Sequence, residues 1–208
     1  MDNNLNASQK RAVQYWFSDG LAELSWSVMC LILAIYFSLM QILGSSQGSF
    51  ALLFLIVFIA AYGVRKVMFW YRERSTYPRT GFVETKKGWQ DHRSLGIAIG
   101  FTVLLLAFML FTILRGINTM AWLPALTGVI YAFIFSLVGY RTKLARFYFL
   151  TAFGLVLGVF LALSGWGDLW GAAILSLCVG FVLFAYGIVT RISYLGQTRV
   201  NIEQADER

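Results

Sequence analysis

Six long apolar stretches run along this chain of 208 residues. They cover about residues 20 to 43, 49 to 70, 95 to 114, 120 to 140, 146 to 164 and 168 to 190. A transmembrane helix needs roughly 20 consecutive apolar residues, whereas a barrel strand alternates apolar and polar positions. Because these stretches are continuous rather than alternating, they predict an all-α integral membrane protein with six transmembrane helices.

The connections between these helices predict three antiparallel hairpins. GSSQGS joins the first two helices, LRGINTMAWLP the third and fourth, and SGWGD the last two. Such short connections join helices that lie side by side. Pro124 falls in the first turn of the fourth helix, where its missing N–H costs little, and Asp168 is predicted to cap the sixth helix.

Positive charge lies on one side of the predicted bundle. Of the 17 Lys and Arg residues, only Arg115 falls on the other side. Basic residues are retained in the cytoplasm, so both termini are predicted to be cytoplasmic. The chain then consists of an N-terminal segment (1–19), a six-helix bundle (20–190) with a cytoplasmic basic loop (71–94), and a cytoplasmic tail (191–208).

The formal charge of +7 therefore belongs to one membrane face. It predicts contact with anionic lipid headgroups, which attract each basic residue near the surface by about 1 kcal/mol. A nucleic-acid partner is not predicted.

The composition excludes several kinds of chemistry. Hydrophobic residues make up 59% of the chain and charged residues 13%, outside the range of soluble globular proteins. His92 is the single histidine, and Cys30 and Cys178 both fall in apolar stretches, so no ordinary metal cage, haem site or disulfide is predicted. HExxH, GxSxG and GxxxxGK[ST] motifs do not occur in the sequence. The chain is predicted not to be an enzyme and to carry no cofactor.

The first helix has a polar face. Its polar residues recur in steps of three and four, with Cys30 and Ala34 between them: Asp19, Glu23, Ser27, Ser38 and Gln41. This spacing turns one side of a helix away from lipid. Two interpretations remain open: a path for a cation, proton or small solute, or ordinary packing and capping at the helix start.

Small residues recur at similar spacing along the later helices. They include Gly128, Ala132, Ser136 and Gly139, then Gly154, Gly158, Ala162 and Gly165, and finally Ala172, Ser176 and Gly180. Such stripes let helix backbones approach closely in a membrane. They predict packing within the chain, with a homo-oligomer as the alternative.

The basic loop has the pattern of a short β-hairpin. Pro78 suits the second position of a tight turn and Gly81 a left-handed residue, between β-prone flanks. We expect this loop to contact lipid or another membrane or cytoplasmic protein through Arg72, Arg74, Tyr77, Pro78, Arg79, Gly81, Phe82, Lys86 and Lys87. The alternative is a connector held at the membrane interface by Trp70, Tyr71 and Trp89.

The stretch RSTYPRTGFVE in this loop resembles the R-x-T-Y-P-R-T-G-[FY]-V stretch of uncharacterised bacterial multi-helix membrane proteins. The resemblance covers about a dozen residues. It implies location in a bacterial cytoplasmic (inner) membrane and assigns no catalytic residue.

A short motif recurs where the even-numbered helices end. AYG at residues 61–63 precedes Arg65, AYG at 185–187 precedes Arg191, and VGYR ends at Arg141. Either duplicated hairpins or the aromatic and basic residues usual at membrane interfaces explain the recurrence.

These features predict a non-catalytic membrane protein that binds a partner or serves as an accessory component. A membrane span without ionisable groups at mid-depth has few means of coupling ions or catalysing reactions. The alternative is a small-solute transporter or channel with a path along the polar face of the first helix.

Overall fold

The computed structural model describes residues 19–44, 47–75, 96, 100, 101, 104 and 119–206. The helices in these ranges are α1 (Leu21–Leu43), α2 (Gln47–Ser75), α3 (Leu123–Thr142), α4 (Ala145–Leu163) and α5 (Leu169–Asp206). A 3-10 helix at Thr119–Trp122 leads into α3. Residues 96, 100, 101 and 104 are also helical and fall in the third predicted helix. The described part of the chain is therefore all-helical, with no strand.

Four helical segments in the described ranges are long and apolar enough to cross a membrane: Leu21–Leu43, Met120–Thr142, Ala145–Leu163 and Leu169–Gly196. They confirm the prediction of a helical membrane protein. α2 coincides with the second predicted helix. A total of six spans and the orientation of the termini stay predictions, and the predicted β-hairpin lies outside the described residues.

Two helices continue beyond the apolar stretches that predicted them. α2 runs to Ser75, into the segment assigned to the basic loop, and α5 runs to Asp206, through most of the predicted tail. Hydropathy marks where a helix leaves the hydrocarbon, whereas a helix ends only where its backbone pattern is broken. Neither extension contains a proline, and Arg, Glu and Gln are good helix formers.

The described chain falls into two compact units. The first contains α1, α2 and α5 from Ser176 onward, and the second contains the 3-10 helix, α3, α4 and the start of α5. In the first unit α1 begins directly after Gly20, whose left-handed φ of 72° turns the chain into the helix. The Leu21 N–H donates to Asp19 Oδ1 at 3.1 Å, which satisfies one of the amides that a helix start leaves unbonded.

In the second unit, α3 and α4 form a tight antiparallel hairpin. Lys143 turns the chain with a φ of 56° and donates its N–H to the Gly139 carbonyl at 2.7 Å. Pro124 lies in the first turn of α3, as predicted. A ring contact also joins Phe101 of the third predicted helix to Phe133, with 3.6 Å between ring centroids.

Glycines set the spacing of this hairpin. A Cβ atom added at Gly128 would lie 2.6 Å from the Gly154 carbonyl oxygen, and one added at Gly158 would lie 2.8 Å from that of Pro124. The backbones of α3 and α4 are thus in direct contact, which gains the dispersion energy that drives helix association in lipid. At these positions the predicted small-residue stripes pack within the chain.

Replacing Gly158 by alanine is expected to push α3 and α4 apart. Overpacking of this kind costs about 1 to 3 kcal/mol. Gly63→Ala in α2 is the matched control, because a Cβ atom there meets nothing within 4 Å. Both changes gain the same roughly 1 kcal/mol of helix propensity, so their difference reports the packing alone. Thermal unfolding in detergent should show a lower midpoint for Gly158→Ala than for Gly63→Ala, and equal midpoints would contradict the contact.

Candidate functional site

α1 turns its polar face toward α5 in the first unit. The Ser27 hydroxyl donates to the Gly180 carbonyl oxygen at 2.8 Å, and the Ser27 side chain is fully buried. Glycine at position 180 lets the two helices approach closely enough for this bond, because a Cβ atom there would come within 3.2 Å of the Cys30 Cβ. A serine on one helix therefore bonds the backbone of another, an arrangement that small residues permit in membrane bundles.

A second contact joins the start of α1 to α5. A Cβ atom at Gly20 would lie 2.6 Å from the Gly187 carbonyl oxygen and 2.9 Å from the Arg191 backbone nitrogen. One at Gly187 would lie 2.8 Å from the Leu24 Cγ. Gly20 faces Gly187, and Ser27, later in α1, faces Gly180, earlier in α5. The two helices are therefore antiparallel and touch at two points.

The two acids of the polar face are buried. Asp19 is 2% exposed and Glu23 is 1% exposed. Glu23 follows Gly20 by three residues and precedes Ser27 by four, so it shares their side of the helix. Both carboxylates lie at the α1 N-terminus, whose backbone dipole stabilises negative charge.

Arg191 lies at the same end of the unit and is only 8% exposed. Its guanidinium carbon lies 5.7 Å from the ring centroid of Tyr71 in α2 and 5.7 Å from that of Tyr194 in α5. Both distances are within the range of a cation–π interaction. We call Asp19, Glu23, Tyr71, Arg191 and Tyr194 the Arg191 cluster. It gathers the start of α1, the end of α2 and the later part of α5.

The C-terminal half of the polar face is arranged differently. Ser38 is half-buried and donates its hydroxyl to the Ala34 carbonyl of its own helix at 2.9 Å, and Gln41 is also half-buried. The structure therefore brings Asp19, Glu23 and Ser27 together at the α1–α5 contact. It does not join Ser38 and Gln41 to them.

Few of the residues predicted to contact a partner are described. Arg74 is exposed, and its guanidinium carbon lies 4.3 Å from the ring centroid of Trp70, which is exposed as well. Arg72 lies in α2, but its side chain is not among those described. The remaining predicted contacts lie outside the described residues: Tyr77, Pro78, Arg79, Gly81, Phe82, Lys86 and Lys87.

Sequence reasoning named Arg191 and Tyr71 as interfacial residues but did not place them with the polar face of α1, and it missed Tyr194. It identified the stripe of Ala172, Ser176 and Gly180 but ended it there, although Gly187 and Arg191 continue the same face of α5 at spacings of seven and four. Following the helix period into the charged end of α5 would have placed Arg191 on that face, but no local pattern indicates Tyr71 of α2 as its neighbour.

The motif that recurs at the ends of the apolar stretches allows the burial of Arg191 to be compared with that of two similar arginines. Arg65 and Arg141 occupy corresponding positions and are both exposed, as are the tyrosines that precede them, Tyr62 and Tyr140. Of these three arginines, Arg191 alone is buried. The motif itself does not determine the environment of its cation.

Arg191→Gln is expected to loosen the end of the first unit. The variant removes two cation–π contacts and leaves a poorly packed side chain, at a cost of about 1 to 2 kcal/mol. For a chain of this size that corresponds to a fall of about 2 to 8 °C in unfolding midpoint. The measurement is thermal unfolding in detergent.

Arg65→Gln is the matched control, since it makes the same chemical change at an exposed position. We expect it to alter stability by less than about 0.5 kcal/mol. Equal destabilisation by the two variants would show that the Arg191 cluster contributes nothing specific to the fold.

Comparison with known proteins gives no match: no protein-family model, curated protein or solved structure is similar to this chain. The functional argument accordingly rests on the packing, burial and charge of the chain's own residues.

Proposed function

We propose that this protein is a non-catalytic component of a bacterial cytoplasmic (inner) membrane, where it binds a partner or serves as an accessory subunit. It crosses the membrane six times and keeps both termini in the cytoplasm. The closure of the α1 polar face is the observation that carries the proposal. Glu23 and Ser27 are at most 1% exposed, so the N-terminal half of that face is closed to solvent.

The positions of charges support this orientation. In the first unit the start of α1, the end of α2 and Arg191 meet at one end, as expected if α1 and α2 cross in opposite directions. In the second unit the turn between α3 and α4 carries Arg141 and Lys143, whereas Asp168 follows the opposite end of α4. Cations at one end of a span mark the cytoplasmic side.

The end of α2 supports a partner surface. None of the described side chains of α2 is buried, and the stacked pair of Trp70 and Arg74 lies where α2 leads into the basic segment. Exposed tryptophan and arginine are the residues most often found at the centre of protein interfaces. The partner surface we propose therefore begins at Trp70 and Arg74 and continues through the motif around Arg79.

A second candidate function is transport of a small solute or ion. The burial of Asp19 and Glu23 at the end of a membrane helix favours it, because ionisable groups in such places commonly serve ion or proton pathways. Because Glu23 and Ser27 are buried, a transporter that used this face would have to open the α1–α5 contact to admit its solute.

Reconstituted vesicles separate these two functions. We expect the purified protein to give no proton or potassium flux above that of empty vesicles, measured with an internal pH dye under a potassium diffusion potential. Flux that Ser27→Leu abolishes, and that Ser25→Leu on another side of α1 preserves, would contradict the accessory function. Circular dichroism would establish that both variants are folded.

Site-specific photo-crosslinking tests the partner surface. A photoreactive residue at Arg79 or Phe82 is expected to give one defined protein adduct in native membranes. The same residue at Tyr62, an exposed position along α2, should label lipid only. Adducts with lipid alone at all three positions would remove the support for a partner surface.

A further inference from the structure

A cavity of about 440 Å³ opens at the loop between α4 and α5. Gly165, Trp166, Asp168 and Trp170 line it. Another cavity, of about 420 Å³, lies on α4 and is lined by Phe149, Ala152, Phe153, Val156, Leu157 and Phe160. The side chains of the α4 cavity are all hydrocarbon, so it suits lipid tails without orienting them. The loop cavity differs because it combines two indole rings with a carboxylate.

The loop that forms this cavity is tightly constrained. Gly165 adopts a left-handed φ of 82°, which favours glycine, and the Asp168 N–H donates to the Trp166 carbonyl at 3.1 Å. Side chains have no room at Gly167, which touches the Ala121 carbonyl, or at Gly171, which touches Pro124 and the Trp166 carbonyl. The backbone that carries the lining residues is consequently fixed before any ligand arrives, which lowers the entropy cost of ordering the loop on binding.

Asp168 supplies the charge of the cavity. It is exposed and directly precedes α5, at the position predicted for the cap of this helix. Its backbone carbonyl accepts the Ala172 N–H at 3.2 Å, the first hydrogen bond of the helix. Of residues 119–175, Asp168 is the only acid.

We propose that this cavity binds an organic ammonium group. The faces of Trp166 and Trp170 attract a diffuse cation, and the Asp168 carboxylate compensates its charge. Tryptophan with a carboxylate is the chemistry that recognises quaternary ammonium and similar groups. A single carboxylate offers too few oxygen ligands for Ca²⁺ or Mg²⁺, and it repels anions. We call this cavity the ammonium site. It goes beyond the proposed function and does not depend on it.

The ammonium group has two sources, a lipid headgroup and a free amine in solution. The cavity lies between the ends of two membrane-crossing segments, Ala145–Leu163 and Leu169–Gly196, where tryptophans commonly meet headgroups. Choline and ethanolamine headgroups carry the same cationic chemistry as free amines. The experiment below treats the two sources as separate arms.

The test is a titration of tetramethylammonium chloride into the full chain in maltoside detergent, followed by NMR of the indole N–H groups. We expect saturable shifts of the Trp166 and Trp170 signals and none at Trp122, which is exposed and does not line the cavity. Asp168→Asn should weaken binding about tenfold, and so should Trp166→Leu. Trp122→Phe is the matched control and should leave binding unchanged.

Three results would each overturn the ammonium site. The first is a linear rather than saturable shift. The second is equal binding of the uncharged isostere 3,3-dimethylbutan-1-ol, and the third is unchanged binding by both Asp168→Asn and Trp166→Leu. In nanodiscs, competition by phosphatidylcholine or phosphatidylethanolamine but not by phosphatidylglycerol would identify the lipid headgroup as the source. Binding that is the same in all three lipids would support the site with a free amine as its ligand.

Discussion

Backbone contact between α1 and α5 is the constraint on which the candidate site depends. A hydrocarbon solvent gives no hydrophobic gain when helices meet, so association depends on close contact and on satisfied polar groups. Gly20, Gly180 and Gly187 allow that contact, because a side chain at any of them would meet the facing helix. The bond from Ser27 to the Gly180 carbonyl is part of this contact, and Asp19 and Glu23 are buried on the same side of α1.

Sequence pattern was sufficient for those features that depend on local physics. Apolar length located the described helices, and the steps of three and four identified Glu23, Ser27 and Cys30 as one side of α1, a side that is buried in the structure. What covers that side was not predictable from local pattern. Ser27 and Gly180 are 153 positions apart in the chain, and several small-residue stripes offered equally suitable surfaces. Helix ends were missed for a related reason, since hydropathy does not record whether α5 continues into water.

Arg191 illustrates how far environment depends on the neighbouring helix rather than on the motif. Arg65, Arg141 and Arg191 each follow an aromatic residue near the end of an apolar stretch, and each has the sequence pattern of an interfacial cation. Only at Arg191 does another helix approach through glycine on both sides, at Gly20 and Gly187. Arg191 is only 8% exposed there, and its guanidinium lies within cation–π range of Tyr71 of α2 and of Tyr194 on its own helix.

The glycine contacts of the two units lie among different side chains. This difference indicates which unit holds the candidate functional site. Between α3 and α4 the glycine contact at Gly128 and Gly158 adjoins apolar and aromatic side chains and so contributes packing alone. Between α1 and α5 it lies on the side of α1 that carries two buried acids, Asp19 and Glu23. Glu23 lies only about 3 Å along the axis from the first residue of α1, so membrane depth does not separate it from water. Packing within the protein does, since Glu23 is 1% exposed, and Ser27, about 6 Å further along the axis, is fully buried as well.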